Sequence, residues 1–388
     1  MADFRWIGCC CFCLALLGWP GTGFAATEAA GSCRAVAVDI RTELAVDDLA
    51  GVGLEDGVAA SLGYLAKLPP NKFYNLCDRK VSVAELTGTL KELRQLWRTT
   101  GGGAEFLRRA ADSFVLLAVR GEGQAKRLLV TGYFEPLLEG SLERKEPFLY
   151  PLYPIPDDLV QRGAEVGRLE DGRLAPYWTR GEIEDRELLA GHELVYLNDP
   201  VEAFILQVQG SGRVHLRDGS ERRLQYAAKN GRPYRSIGKC LVERGALCLD
   251  EVSLPAISAY LKGHPEEIKE ILQYNESFVF FRWGDAAQNG PHGSLGEPLT
   301  AGRSVALDRD CFPPGAPAFL SARKPEFNNR DEIIGWSKMQ RLVFNQDSGS
   351  AISGPGRLDL FLGHGARARA TAGVLKSQGR LYFLLKKK

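Results

Sequence analysis

Between residues 82 and 133 the spacing of apolar positions changes from helical to alternating. Ser82-Val83-Ala84-Glu85 has the hydroxyl-x-x-acid spacing of a capping box. Behind it Leu86, Leu90, Leu93 and Trp97 recur every three to four residues, which predicts a helix ended by the glycines at 101–103. A second short helix is expected near 104–111. Residues 114–119 (Phe-Val-Leu-Leu-Ala-Val) and 127–133 (Arg-Leu-Leu-Val-Thr-Gly-Tyr) read as two strands joined by a Gly-Glu-Gly turn. From Pro136 to Pro156 the chain becomes rich in Pro, Tyr and Leu with charged punctuation, which marks a crossing into another domain.

Short strands follow, with two short helices among them. Asp199-Pro200-Val201-Glu202 supplies an N-cap, a proline at the first helical position and an acid two residues later. Asp218-Gly219 is a hairpin turn between Arg213–Arg217 and Glu221–Tyr226. After Ser236 helical signals return: Ile237–Arg244 stops at Gly245, Ser253-Leu254-Pro255 opens a helix that stops at Gly263, and Pro265 opens a third. Residues 277–283 read as a buried strand, and strands with Gly/Pro turns continue to the end. The middle third therefore reads as an insertion. Residues 26–136 and 236–388 form the two parts of a host domain, and 137–235 form the insert.

Composition sharpens this picture. The 388 residues carry 49 Lys+Arg against 48 Asp+Glu, a net charge of +1, and this excludes the basic excess on which nucleic-acid binding leans. The 43 Gly and 20 Pro favour a turn-rich, mainly β chain with helices (α+β) over a helical bundle. Residues 4–19 are an apolar run behind Arg5, shorter than the ~20 residues that span a bilayer. With small residues up to Ala25 they read as a secretory signal peptide over 1–25, so the mature protein is expected in the periplasm. Cys33 follows Ala30-Gly31-Ser32, small residues of the kind that precede a lipidated cysteine. Its distance from the apolar run argues against a lipid anchor, and leaves loose attachment to the outer membrane open. Cys33, Cys77, Cys240, Cys248 and Cys311 remain after signal removal, and disulfides persist in such a compartment. Cys33 with Cys77, and Cys240 with Cys248, are candidate pairs, but spacing does not decide the pairing.

The familiar catalytic signatures G-x-S-x-G, H-E-x-x-H, Walker A and G-x-G-x-x-G do not occur in the sequence. The 5 histidines are scattered without ligand spacing, so no metal and no cofactor is expected. Attention moves to carboxylates near the C-terminus. An apolar strand runs into Asp347, a small-residue turn follows, and a second strand places Leu358, Leu360 and Leu362 on one face. Asp359 falls on the other face with Arg357 and Phe361, facing solvent or a groove. Two aspartates flanking a loop can approach each other, and repulsion with apolar neighbours would raise one pKa, as a general acid requires. A solvated strand Asp and a turn-capping Asp fit the same residues. Asp347-Ser348-Gly349-Ser350 also matches an aspartic-protease pattern, but a single copy would require a dimer.

Several blocks together resemble the membrane-bound lytic murein transglycosylase A family with its C-terminal three-aspartate (3D) domain. They are Thr131-Gly-Tyr-Phe-Glu-Pro136, Val208-Gln-Gly-Ser-Gly-Arg213, Tyr226-Ala-Ala-Lys-Asn-Gly231, Tyr234-Arg-Ser-Ile-Gly-Lys239, Asn275-Glu-Ser-Phe-Val-Phe-Phe281, Ser304-Val-Ala-Leu-Asp308 and Asp347 through Gly365. The resemblance implies a double-psi β-barrel domain, with the 3D domain over about 300–388. It also implies a smaller β-barrel inserted into that domain and a groove between the two. The implied reaction is cleavage of the β-1,4 bond between N-acetylmuramic acid and N-acetylglucosamine in peptidoglycan, leaving a 1,6-anhydromuramic end. The implied catalytic acid is Asp359, with Asp347 beside it. Implied substrate contacts are Tyr133, Gln209, Ser211, Gly212, Lys229, Arg235 and Asp308, with Asp310 an alternative to Asp308. Glu135 is not assigned acid duty. Peptidoglycan glycan strands are the implied partner, and cell-wall synthesis or division proteins are further candidates. Where the family reads Asp-x-Gly-Gly-Ala-Ile-Lys-Gly, this chain has Ser350 and Ser353. A non-catalytic, expansin-like wall-binding protein is the alternative reading.

Overall fold

The computed structural model describes residues 33–121, 127–163, 165–284, 290–349 and 352–388. The expected leader with its four cysteines, Glu122-Gly123 of the expected turn, and Ser350 lie outside the described residues. Two compact units emerge. One holds the described residues up to Phe134 together with His292–Lys388; the other holds Glu135–Pro291.

The first unit begins with β1 (Cys33–Val38), α1 (Ile40–Glu43) and α2 (Leu54–Ala66). The hairpin β2 (Phe73–Leu76) and β3 (Arg79–Ser82) leads into α3 (Val83–Thr100). The capping box forms as expected: Ser82 Oγ accepts from the Glu85 amide, and the Glu85 carboxylate accepts from the Ser82 amide. Leu86, Leu90 and Leu93 are buried along one stripe. Gly101 ends the helix in the left-handed region at φ 66°, which a side chain would resist. Then come α4 (Gly103–Ser113), β4 (Phe114–Gly121) and β5 (Leu128–Glu135). The strands expected at 114–119 and 127–133 exist but do not pair with each other. Both pair instead with the last strand of the chain.

The second unit contains β6 (Leu137–Ser141), β7 (Tyr150–Leu152), β8 (Val160–Arg162), β9 (Glu165–Glu170), β10 (Arg173–Pro176), α5 (Arg180–Asp185) and β11 (Val195–Leu197). It continues through α6 (Pro200–Gln209), β12 (Ser211–Leu216), β13 (Glu221–Lys229), α7 (Ile237–Glu243), α8 (Leu254–Gly263), α9 (Ile268–Gln273) and β14 (Val279–Trp283). Asp199 caps α6 by accepting from the Val201 and Glu202 amides, and Asp218-Gly219 turns β12 into β13, both as expected. The six-stranded sheet runs β14-β13-β12-β6-β11-β7. The Phe281 amide of β14 donates to the Tyr153 carbonyl just past β7 at 2.8 Å, so the sheet almost closes on itself. The insert was expected to end at 235, and the structure corrects this. β14 pairs with β13 from Leu224 to Lys229, so the helices after Ser236 and this strand belong to the second unit, which runs to Pro291.

The chain then returns to the first unit with β15 (Ser304–Ala306), β16 (Pro317–Phe327), β17 (Ile333–Asp347), β18 (Arg357–His364), α10 (Ala366–Val374) and β19 (Lys376–Lys386). The order β19-β16-β17-β15-β18-β5 is closed by a further β19–β5 pairing, which makes a six-stranded barrel with β4 and β1 extending from β19. Closure removes free strand edges and encloses the inward-facing side chains of every strand. With the nearly closed sheet of the second unit, the chain is a two-barrel α+β protein. Phe312, Phe319, Phe344 and Phe383 fill the core of the first unit, and the Asp47 carboxylate ties the N-terminal loop to it through the buried Arg303 guanidinium at 2.8 Å. Cys33 and Cys77 form a disulfide, with Cα atoms 4.9 Å apart. A sulfur so engaged carries no thioether lipid. Cys240, Cys248 and Cys311 are free thiols.

Candidate active site

The barrel brings the two C-terminal aspartates into one row. Ala306 of β15 faces Asp347 across the parallel ladder to β17 and Asp359 across the antiparallel ladder to β18. With strands ~4.8 Å apart, the two backbones are separated by about 10 Å. A bulge sets this register. Val305 pairs with Asn345 and Ala306 with Asp347, so Gln346 is skipped. Gln346 turns away and donates to the Gly57 carbonyl at 2.6 Å and to Ser61 Oγ at 2.9 Å. Without the extra residue, Asp347 would fall on the opposite face.

Alternation places the partners. Thr131 and Tyr133 are two residues apart on β5, and Asp359 and Phe361 are two apart on the neighbouring β18, so each pair shares a face. Thr131 Oγ1 donates to Asp359 Oδ1. The buried Tyr133 ring lies 5.2 Å from Phe361, and its hydroxyl donates to Asp347 Oδ2 at 2.8 Å. The Ser294 and Ser348 amides donate to Asp347 Oδ1 at 2.8 and 2.9 Å. Asp347 thus sits in a cage of donors that fixes its orientation.

Asp359 is treated differently. It is 0% exposed, and its Oδ2 has no hydrogen-bond partner among the described residues. Burial pushes its carboxyl well above the usual aspartate value of 3.8. It therefore keeps its proton at pH values where an ordinary aspartate has lost it. Two expectations need correction. Asp359 does not face solvent, because β18 is covered on both faces here: Leu358 and Leu360 on one and Asp359 and Phe361 on the other are all buried. Repulsion from Asp347 is not what raises its pKa, because removal from water is the cause.

Asp308 pins loops. Its carboxylate accepts from the Asp310 amide at 2.8 Å and from the Gly354 amide, which anchors the turn entering β18. Asp308, not the exposed Asp310, is the member of that pair turned inward. Among the described residues no group of three or more His, Cys, Asp or Glu comes together to hold a metal.

The remaining expected contacts belong to the second unit. Gln209 and Ser211 are buried at the α6–β12 junction. At Gly212 a Cβ would lie 2.3 Å from Leu206 Cδ1 and 3.1 Å from the Pro136 carbonyl, so close packing demands glycine there. Lys229 pairs with Val279 across β13–β14. Arg235 binds Glu276 at 2.8 Å, and its amide donates to Asn275 Oδ1. Glu135 is 0% exposed and clamped between Arg213 Nε at 2.9 Å and Arg223 Nε at 2.7 Å.

This sequence matches two family models, the MltA specific insert domain over residues 129–282 and the 3D domain over 303–385. Membrane-bound lytic murein transglycosylase A of Escherichia coli K12 is 33% identical over 293 residues, 75% of this chain and 74% of the relative. The chain belongs to the membrane-bound lytic murein transglycosylase A family. The Vibrio cholerae member is 34% identical over 307 residues, covering 78% of this chain and 77% of its own. Among solved family structures, the Agrobacterium tumefaciens protein aligns with a TM-score of 0.72 at 29% identity, covering 88% of this chain and 93% of its own. E. coli MltA with bound chitohexaose aligns with a TM-score of 0.69 at 28% identity, covering 91% and 95%. In this family member the residue that sequence reasoning missed is Thr131. Its signal was present, because it sits two positions before Tyr133 on the same strand face.

Proposed function

We propose that this chain is a lytic transglycosylase. It cleaves the β-1,4 bond between N-acetylmuramic acid and N-acetylglucosamine in peptidoglycan without water and leaves 1,6-anhydromuramic ends. Asp359 serves as the single general acid and base. The observation that carries this reading is the buried Asp359 carboxyl, held at Oδ1 by Thr131 and with Oδ2 unpartnered among the described residues. Family membership and the oligosaccharide held by an E. coli relative support a glycan substrate.

The chemistry needs only one acid. Ordinary glycosidases use two carboxyl groups, an acid and a nucleophile or base. Here the muramic C6 hydroxyl attacks its own anomeric carbon, and tethering removes much of the entropic barrier. The Asp359 proton passes from Oδ2 to the departing glycosidic oxygen as the C1–O bond breaks. The resulting carboxylate takes the C6 hydroxyl proton as the C6–O–C1 bond forms, so the acid returns to its starting state. Asp347, caged by Tyr133 and two amides, is a positioning group in this scheme. The Tyr133 hydroxyl is committed to Asp347 and its buried ring packs on Phe361, so its part in this scheme is to hold Asp347 in place.

Digestion of murein sacculi with mass analysis of the soluble products tests this. Anhydromuropeptides are expected. Reducing-end products would make the protein a hydrolase, and binding without release would make it the expansin-like alternative. The envelope location of the family fits the expected periplasmic site, and among the described residues no helix is long and apolar enough to cross a membrane.

A further inference from the structure

The second unit holds a cavity of about 550 Å³ among β7, β11, α5, α6 and α9. It is lined by none of residues 209, 211, 212, 229 and 235. Its floor is aromatic and cationic: the Arg180 guanidinium lies 4.9 Å from the Phe204 ring and 5.0 Å from Phe278. That charge is already engaged. Arg180 donates to the Asn275 and Ser277 carbonyls, to Gln207 Oε1, and to Glu184 Oε1 at 3.1 Å. Lys269 at the rim is likewise held by Asp185 at 2.8 Å.

The wall carries a phenol hydroxyl and three acids, two of them without a cation among the described residues. Tyr153 lines the cavity and is only 8% exposed, yet its hydroxyl makes no hydrogen bond among the described residues. Burial raises its pKa, and the carboxylates of Glu193, Glu184 and Glu187 raise it further, so three acids crowd one phenol. Glu184 is balanced by Arg180, whereas Glu187 and Glu193 have no ion-pair partner among the described residues; Glu193 accepts only from neutral donors, the Gly191 amide at 3.0 Å and the Tyr196 hydroxyl. Against them stands Arg144 at the rim, the one lining cation without an ion pair among the described residues. Rings beside carboxylates that lack a paired cation favour an ammonium group. Arg144 suits a carboxylate on the same ligand.

We propose that this cavity binds an ammonium-bearing peptide, through Glu187, Glu193 and the Tyr153 ring and hydroxyl. The inference builds on the reading of peptidoglycan as substrate, since that polymer carries such peptides on its muramic sugars. It gives the protein a second, peptide-reading site beside its glycan chemistry.

The probe is a synthetic tripeptide ending in a diamino acid with a free side-chain ammonium, titrated calorimetrically into the full chain. Its N-acetylated form serves as the comparison. The free amine should bind at least ten-fold more tightly than the acetylated peptide. The Glu187→Gln, Glu193→Gln double variant should erase that difference while releasing product from peptide-free glycan strands at the wild-type rate. Equal affinity for the two peptides would overturn the proposal, and so would an unchanged difference in the double variant. The acetylation comparison uses the unaltered protein, so misfolding of a variant does not obscure it. A failure of the glycan reading would appear separately, as wild-type protein that releases no anhydromuropeptides.

Discussion

Asp359 in the first unit and Glu135 in the second are both sealed from solvent at 0% exposure, but their surroundings are opposite. Glu135 has two arginines within 2.9 Å, one on each oxygen. Asp359 has one threonine hydroxyl and no counter-charge among the described residues. A buried carboxylate gripped on both oxygens by guanidinium groups acts as a structural clamp. A buried carboxyl without a cation stays protonated at some cost in stability, and that cost is a mark of function. In the proposed reaction the contrast separates a proton donor from a structural clamp, although the two look equally buried.

The widest separation comes from replacing each acid by its amide. Asp359→Asn should remove turnover on sacculi, by the ~10²–10⁴-fold that a general acid typically contributes, while leaving the fold intact. Its effect on stability follows from linkage. The folded-state pKa lies above the ordinary 3.8, so between those values the folded protein holds a proton that the unfolded chain releases. Asp359 therefore costs the wild type stability as pH rises through that window. The variant, which cannot ionise, should melt at or above the wild-type temperature at pH 8, and the gap should close toward pH 4. A variant that melts lower at pH 8 would contradict a neutral buried acid. Glu135→Gln should do the reverse. Leaving two guanidinium groups without their anion should cost about 3–5 kcal/mol in denaturant unfolding. Turnover per folded molecule should change little, and a large selective loss of turnover would give Glu135 a chemical role.

This contrast was only partly legible in the sequence. The Ser82 capping box, the Asp199 N-cap and the Asp218-Gly219 turn depend on residues a few positions apart, so pattern alone placed them. The alternation around Asp359 correctly put Leu358 and Leu360 on the core side. Its burial came from closure of the barrel by β5 and β19, more than 200 and about 20 residues apart respectively from β18 neighbours in ways no local pattern encodes. The end of the insert was missed for the same reason. The strand at 279–283 resembles any buried strand until its pairing with β13 assigns it to the second unit. Thr131 escaped notice because a threonine in a strand is ordinary, and only the closed barrel puts it against Asp359.

Smaller changes sharpen the comparison inside the first unit. Asp347→Asn keeps the cage of donors around one oxygen but removes the charge that the Tyr133 hydroxyl and the two amides address. Hydrogen bonds to charged groups are worth ~1.5–3 kcal/mol, but here they orient and do not transfer a proton. The expected result is about a ten-fold fall in kcat, scaled at 1.36 kcal/mol per decade and less than for Asp359→Asn. A loss as large as that of Asp359→Asn would make Asp347 a partner in proton transfer.

The smallest effect is expected at Thr131. Thr131→Val keeps shape and β-branching but deletes the hydroxyl that holds Asp359 Oδ1. A neutral hydrogen bond is worth about 1 kcal/mol, which corresponds to roughly a five-fold fall in kcat if it is felt only when the acid must be aimed. KM should stay put, since Thr131 is given no contact with sugar. The hydroxyl also favours the charged carboxylate, so its loss should move the alkaline limb of the rate profile to higher pH. Thr131→Ser should restore both rate and profile, because it returns the donor. A fall in activity that serine does not rescue would assign Thr131 to packing alone, and would leave the lack of a paired cation among the described residues as the one feature that distinguishes Asp359 from the clamped Glu135.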